Sequence, residues 1–344
     1  MKRTYFIASW QQGENEGITK IEYDKQTDTL FSRELISSVK RSSYFARKGD
    51  HLFVLTEAQM HVPNGGCVTS YKIDDDKVIL LNRTENFDSG VTHLNIGKDG
   101  KHLYASGYGT GTLFVIDVDK DGYLSNARVA YKNEGSSINK LRQESSHMHF
   151  TTPAPDNGYI CTCDLGTDEI LVFNVNEENG DVIKVSSLKT SLGYGPRHMV
   201  FSNDGKYAYV LCEMNYHLLI YAYEGTGDLE FINDIDLYPE APADKRQCSA
   251  IKIGSNGKTL FTANRGEGYN SLDAWNLSDP ENPVLYDRFT DVCFPRDFAV
   301  MDDDYLAICN QLANQLQFVK FENGHFKETG KIEDILMPVS VVEW

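Results

Sequence analysis

Short apolar runs, split by turns rich in Gly, Asp and Asn, recur along the whole chain. In GYGPRHMVFSNDGKYAYVLCE, residues 193–213, two such runs flank an Asn-Asp-Gly turn. The runs have strand length and composition, and the Asp-Gly step is a hairpin signal. The same unit returns in HLNIGKDGKHLYASGY (93–108), FTTPAPDNGYICTCDL (150–165), AIKIGSNGKTLFTANR (250–265), FAVMDDDYLAICNQ (298–311) and YFARKGDHLFVLTE (44–57). A third alternating run follows each: CVTSYKI, TLFVIDV, EILVFNV, LLIYAYE, LDAWNLS and LQFVKFE. A polar turn and a weaker fourth run complete each unit.

The residues closing the second strands, Glu57, Tyr108, Leu165, Glu213, Arg265 and Gln311, are spaced 46 to 57 residues apart. Four strands per repeat at a period near 50 is the signature of a propeller blade. A seventh unit is split between the chain ends. TYFIASW, ending at Trp10, supplies a second strand, GITKIEYDKQTD a third, and the C-terminal MPVSVVEW an extended run to lie beside them. The pattern therefore predicts an all-β, seven-bladed β-propeller with four antiparallel strands per blade. Pairing of the N- and C-terminal strands closes the ring and removes exposed edges, and residues 1–344 form a single domain.

In such a blade the first strand lines the central channel, and loops entering strand one and leaving strand two open on one face. The leading column reads Ser43, Thr92, His149, Arg197, Ser249 and Arg296. The closing column offers Glu57, Glu213, Arg265 and Gln311, with Thr56, Asp164, Asn264 and Asn310 one residue earlier. Salt bridges pinning blade to blade are one use for such residues. Two Arg, two His and a Glu converging on one mouth point instead to a ligand pocket.

Composition narrows the ligand. A net charge of −17 is the opposite of a nucleic-acid footprint, and an anionic ligand would need a local group of Arg and His. Seven cysteines in irregular spacing read as reduced thiols of a cytoplasmic protein. Cys161 and Cys163 lack a second pair at zinc spacing. The basic start MKRTYFIASW is too short for a signal peptide, and no run of 18 apolar residues suggests a membrane span. DVDKDG (117–122) has Arg128 where a calcium loop needs Glu. GYGTGT (107–112) joins two strands instead of opening a helix. HMH (147–149) puts two imidazoles on one side of a strand, which could hold a metal, but no metal is assigned. No Gly-x-Ser-x-Gly elbow supports a serine nucleophile. Nothing specifies an oligomeric state.

SSHMHFTTPAPDNGYICTCDLGTDEILVF, GYGPRHMVFSNDGKYAYVLCE and AIKIGSNGKTLFTANRG resemble the propeller-type lactonase family over nearly the whole chain. This family includes the bacterial 6-phosphogluconolactonases of the seven-bladed kind and fungal carboxymuconate-lactonising enzymes. GPRH, DLGTD and NRG carry most of the likeness. The resemblance implies hydrolysis of 6-phospho-D-glucono-1,5-lactone in the pentose phosphate pathway, without a cofactor. By motif the family's catalytic residues carry over to His149, with His147 as its competitor, and to Arg197, Arg265 and Glu213. The chain departs from the family at Ser146 (usually Pro), at Gly107-Tyr108 (usually Asn-Tyr), and at Thr56 and Cys212 (usually Asn).

In the expected mechanism His149 or His147 activates water, and Glu213 orients the imidazole or is itself the base. Arg197 or Arg265 stabilises the oxyanion; the other, with His198 or Arg296, binds the phosphate. His147, His198, Glu57, Asp164, Asn264, Arg296 and Gln311 form the expected substrate-binding set. The rivals are a cycloisomerase acting on a dicarboxylate and a non-enzymatic propeller that binds a ligand or a protein. Against the protein-binding form, the tryptophan-aspartate signature is missing.

Overall fold

The first hairpin of a repeat closes where the sequence places an Asx-Gly step. Gly100, Gly205 and Gly257 have φ of +66°, +73° and +68°, a region open to glycine at no steric penalty. The preceding side chain accepts the following backbone N–H, Asp99 from Lys101 at 2.8 Å, Asp204 from Lys206 at 3.1 Å and Asn256 from Lys258 at 2.7 Å. One turn chemistry thus sets the register of three blades.

The computed structural model describes residues 2–10, 17–56, 65–75, 77–85, 87, 88, 90–156 and 158–344. The fold is a seven-bladed β-propeller of seven four-stranded antiparallel sheets. Numbered from the N-terminus, the blades have as first strands Pro338–Glu343, Tyr44–Lys48, Val91–Ile96, Met148–Pro153, Pro196–Phe201, Cys248–Ile253 and Pro295–Val300. Blade 1 is the composite. Pro338–Glu343 pairs with Arg3–Ser9, Val341 facing Ile7 and Val342 facing Phe6, as the split repeat predicts.

Packing divides the chain into two compact units. One comprises Met1–Ser42, Glu213–Ile220 and Ile232–Trp344; the other Ser43–Cys212 and Tyr221–Phe231. In the first, apolar side chains of blades 1 and 7 form a layer around Tyr5, Ile7, Tyr23, Ala307 and Phe318. In the second, Phe53, Leu55, Leu103, Ala105 and Phe114 fill the space between blades 2 and 3. Second strands are buried throughout, as in Thr259–Gly266, while fourth strands such as Val182–Lys189 are largely exposed. This burial gradient explains why the fourth runs are the weakest in the sequence.

Candidate active site

The leading column has a backbone cause that the sequence does not display. In blade 4, Met148 pairs with Asp164 and Phe150 with Cys163, so His149 is an extra residue. In blade 5, Pro196 pairs with Cys212 and His198 with Leu211, so Arg197 is extra. Thr92 in blade 3 and Val339 in blade 1 are bulged in the same way. Blades 6 and 7 shift register around Ser249 and Arg296. Such a bulge bends the strand and re-aims one side chain.

Small hydroxyl residues of the column tie blades together. Thr92 donates to the Ser106 and His149 carbonyl oxygens at 3.3 and 3.1 Å, and Ser249 donates to the Ala263 and Pro295 carbonyls. Larger polar residues in the same position become available for chemistry.

In the unit containing blades 2 to 4, the column gathers a cluster of rings around one guanidinium. Arg197 Nη1 lies 2.8 Å from His198 Nε2, and the His149 and His198 rings are 5.4 Å apart. Tyr108 meets His149 edge-on at 5.8 Å. Arg197, His198 and His149 are buried, at 3, 6 and 4% exposure, so charge placed here acts in a low dielectric.

His147 has a different employment. It stacks on Tyr108 at 4.4 Å, its Nδ1 is 2.7 Å from the Tyr108 carbonyl oxygen, and its Nε2 is 3.2 Å from Glu144 Oε1. Both ring nitrogens thus face acceptors within the protein. His149, the other expected base, lies instead beside His198 and Tyr108.

Asp164 and Asn264, expected to touch substrate, hydrogen-bond the chain around them. Asp164 accepts from Asn133 Nδ2 at 2.8 Å, from the backbone N–H of His147, Gly166 and Thr167 at 2.8, 3.0 and 3.2 Å, and from Ser146. Asn264 accepts the Gln247 N–H at 2.8 Å and donates to the Tyr269 carbonyl at 2.7 Å. Asn310 clamps the Cys293 N–H at 3.1 Å in the same way. All three stand at the end of a second strand and hold the chain leading into their own first strand. Their polar atoms are engaged within the protein, where they position the column.

Asp168, which sequence reasoning missed, is the counterpart for Arg197. Buried and at φ +55°, it accepts the Gly193 and Gly195 N–H groups, each at 2.7 Å, and the Ser137 hydroxyl at 2.5 Å. The two aspartates of DLGTD thus hold separate approaches, Asp164 the one to His149 and Asp168 the one to Arg197. That pairing was the available signal.

In the other unit Arg265 and Glu213 form a buried ion pair. Arg265 Nη2 is 3.3 Å from Glu213 Oε2, and its Nε donates to the Cys248 carbonyl at 3.3 Å. Gln247 donates to Glu213 Oε1 at 3.5 Å. The Arg265 guanidinium lies 5.3 Å above the Phe294 ring. Phe294 holds φ at +52°, a strained value for a bulky residue. The Gln311 N–H, bonded to the Phe294 carbonyl at 3.3 Å, helps fix that turn. Half-buried Arg296 pairs with no carboxylate among the described residues. Glu57 lies outside the described residues.

Among the described residues no group of three or more His, Cys, Asp or Glu is placed to hold a metal ion. No helix among them is long and apolar enough to cross a membrane.

Residues 4–343 match the model of the family described as lactonase, 7-bladed beta-propeller. The chain belongs to the lactonase family. A 6-phosphogluconolactonase of Bacillus subtilis is 26% identical over 341 residues, covering 98% of this chain and 95% of the relative. A 6-phosphogluconolactonase of Formosa agariphila is 29% identical over 310 residues, covering 87% and 86%. Among solved structures, the Pseudomonas aeruginosa periplasmic gluconolactonase PpgL superposes with a TM-score of 0.90 at 23% identity, covering 100% of this chain and 99% of that one. As a lactonase-family enzyme, the chain keeps His149, Arg197, Glu213 and Arg265 buried within the folded structure.

Proposed function

We propose that the chain hydrolyses 6-phospho-D-glucono-1,5-lactone to 6-phosphogluconate, a step of the pentose phosphate pathway, in the cytoplasm. The observation that carries this reading is the pair of bulges presenting His149 and Arg197 from adjacent blades. The family supports lactone chemistry, and relatives named 6-phosphogluconolactonase support the phosphorylated substrate. Seven free cysteines suit a reducing compartment.

Ring opening needs a water made nucleophilic and a carbonyl oxygen stabilised as negative charge develops. His149 takes a proton from the attacking water, and the water oxygen bonds to the lactone carbon. Arg197 donates to the developing oxyanion, worth on the order of 3 kcal/mol for a well-placed donor. Collapse of the tetrahedral adduct breaks the ring C–O bond, and the proton passes from His149 to the departing ring oxygen. Arg296, half-buried and pairing with no carboxylate among the described residues, is kept as the expected phosphate ligand on the chemistry of its guanidinium alone. The Glu213–Arg265 ion pair enters the proposal on the family resemblance, and substitution of either residue tests it.

The test is the enzyme-dependent rate on freshly made lactone, corrected for spontaneous opening. Arg197→Ala and His149→Ala should each lose about 100-fold or more in kcat. If both variants kept the full rate, the assignment would fail.

A further inference from the structure

Arg197 Nη1 lies 2.8 Å from His198 Nε2, and a guanidinium has donors only. His198 Nε2 therefore supplies a lone pair, and the proton of the neutral ring sits on Nδ1. A nitrogen already accepting from Arg197 does not donate to a substrate phosphate, the role the sequence suggested for His198.

The ring is seated by residues from three neighbouring first strands. Phe150 is 4.5 Å away between centroids, His149 5.4 Å, His93 6.0 Å and Tyr44 6.5 Å. His93 is itself fixed. Its Nδ1 accepts the Thr151 N–H at 3.2 Å, and its ring lies 3.9 Å from Phe150 and 4.3 Å from Tyr44. The same logic gives neutral His93 its proton on Nε2. Two buried imidazoles thus have defined tautomers, and that of His198 meets the Arg197 guanidinium.

We propose that His198 is a positioning residue whose Nε2 lone pair orients the Arg197 guanidinium, with His93 and Phe150 as its seat. Its kinetic consequence rests on the lactonase reading, but its geometry does not. Arg197 carries five N–H groups, and one bond to His198 fixes the plane in which the others point. Losing that bond leaves the charge in place and removes one constraint on its aim, which lowers kcat more than it raises KM.

Two measurements test the proposal. Imidazole nitrogen NMR on histidine-labelled full-length protein, with the signal assigned through His198→Gln, should show unprotonated Nε2 and protonated Nδ1 for His198 at neutral pH. A proton on Nε2 would overturn it, and this reading needs no variant to be active. Kinetically, His198→Gln, whose amide oxygen reaches the Nε2 position, should stay within about threefold of wild type. His198→Leu should lose about 10- to 100-fold in kcat, and adding it to Arg197→Leu should bring no further loss. Equal losses in the Gln and Leu variants, or additive losses in the double variant, would overturn it. A wild-type protein unable to open lactones would sink the lactonase reading and leave the tautomer measurement to decide this one.

Discussion

Replacing Asp168 with Ala tests whether the loop before Arg197 is held as described. The carboxylate is fully buried and accepts from Gly193, Gly195 and Ser137 at 2.7, 2.7 and 2.5 Å. Hydrogen bonds to a charged acceptor contribute about 1.5–3 kcal/mol each, and the alanine variant leaves the half-buried Gly193 and the buried Gly195 N–H groups without that acceptor. Relief from burying the carboxylate offsets part of this, so the net loss is about 3–4 kcal/mol. For a chain of this length the melting entropy makes that roughly 4–6 °C in Tm. Arg197 lies two residues beyond Gly195, so its aim should suffer as well, and kcat/KM on the lactone should fall about tenfold. Asp168→Asn, which keeps one acceptor oxygen, should lose about half as much stability. Differential scanning calorimetry and the lactone assay read the two effects. A Tm unchanged within about 1 °C, with kcat/KM within twofold, would refute the reasoning.

Other outcomes follow from the same geometry. Breaking the buried Arg265–Glu213 pair with Arg265→Met or Glu213→Gln should cost about 3 kcal/mol each, and the double variant should cost clearly less than both together in chemical denaturation. Cys293 is half-buried and the other six thiols are buried; burial, with a smaller contribution from Asp156, pushes the Cys161 thiol up to about 12. Ellman's reagent should therefore label about one thiol in the native protein and all seven after denaturation. Glu169 is held below its ordinary value of 4.5 because hydrogen bonds from Asn133, Lys189, Thr167 and Ser187 outweigh the burial that would raise it. A depressed acid stabilises the fold fully above about 4.5 and loses that contribution as pH falls through the folded value, so Glu169→Gln should flatten the acid limb of a Tm–pH profile.

The fold was legible because the blades repeat one pattern of strands and turns. Asx-Gly turns, buried second strands and the split of blade 1 between MPVSVVEW and TYFIASW all leave composition signals. The site was legible in part. Column alignment picked out His149 and Arg197, but a repeat alignment counts residues and cannot see that each is an extra residue in a bulge. For Asp164 and Asn264 the sequence did not show the backbone N–H groups they accept, because a polar residue at a strand end looks alike whether it faces a ligand or clamps the next N–H. His93 carried no signal, since a histidine inside the alternating run HLNI reads as an ordinary strand residue. Its part follows from tertiary contacts with Tyr44, Phe150 and His198 that link three other repeats. Asp168 stood in plain view within DLGTD, but its partners Gly193 and Gly195 lie 25 and 27 residues further on.

The most direct test of lactone chemistry at the bulged histidine and arginine is a crystal structure grown with 6-phosphogluconate. The account predicts the product's carboxylate oxygens within hydrogen-bond distance of Arg197, with His149 beside the carboxyl carbon and His198 still bonded to the Arg197 guanidinium. Product bound away from both residues, or Arg197 turned from it toward another protein group, would contradict the account.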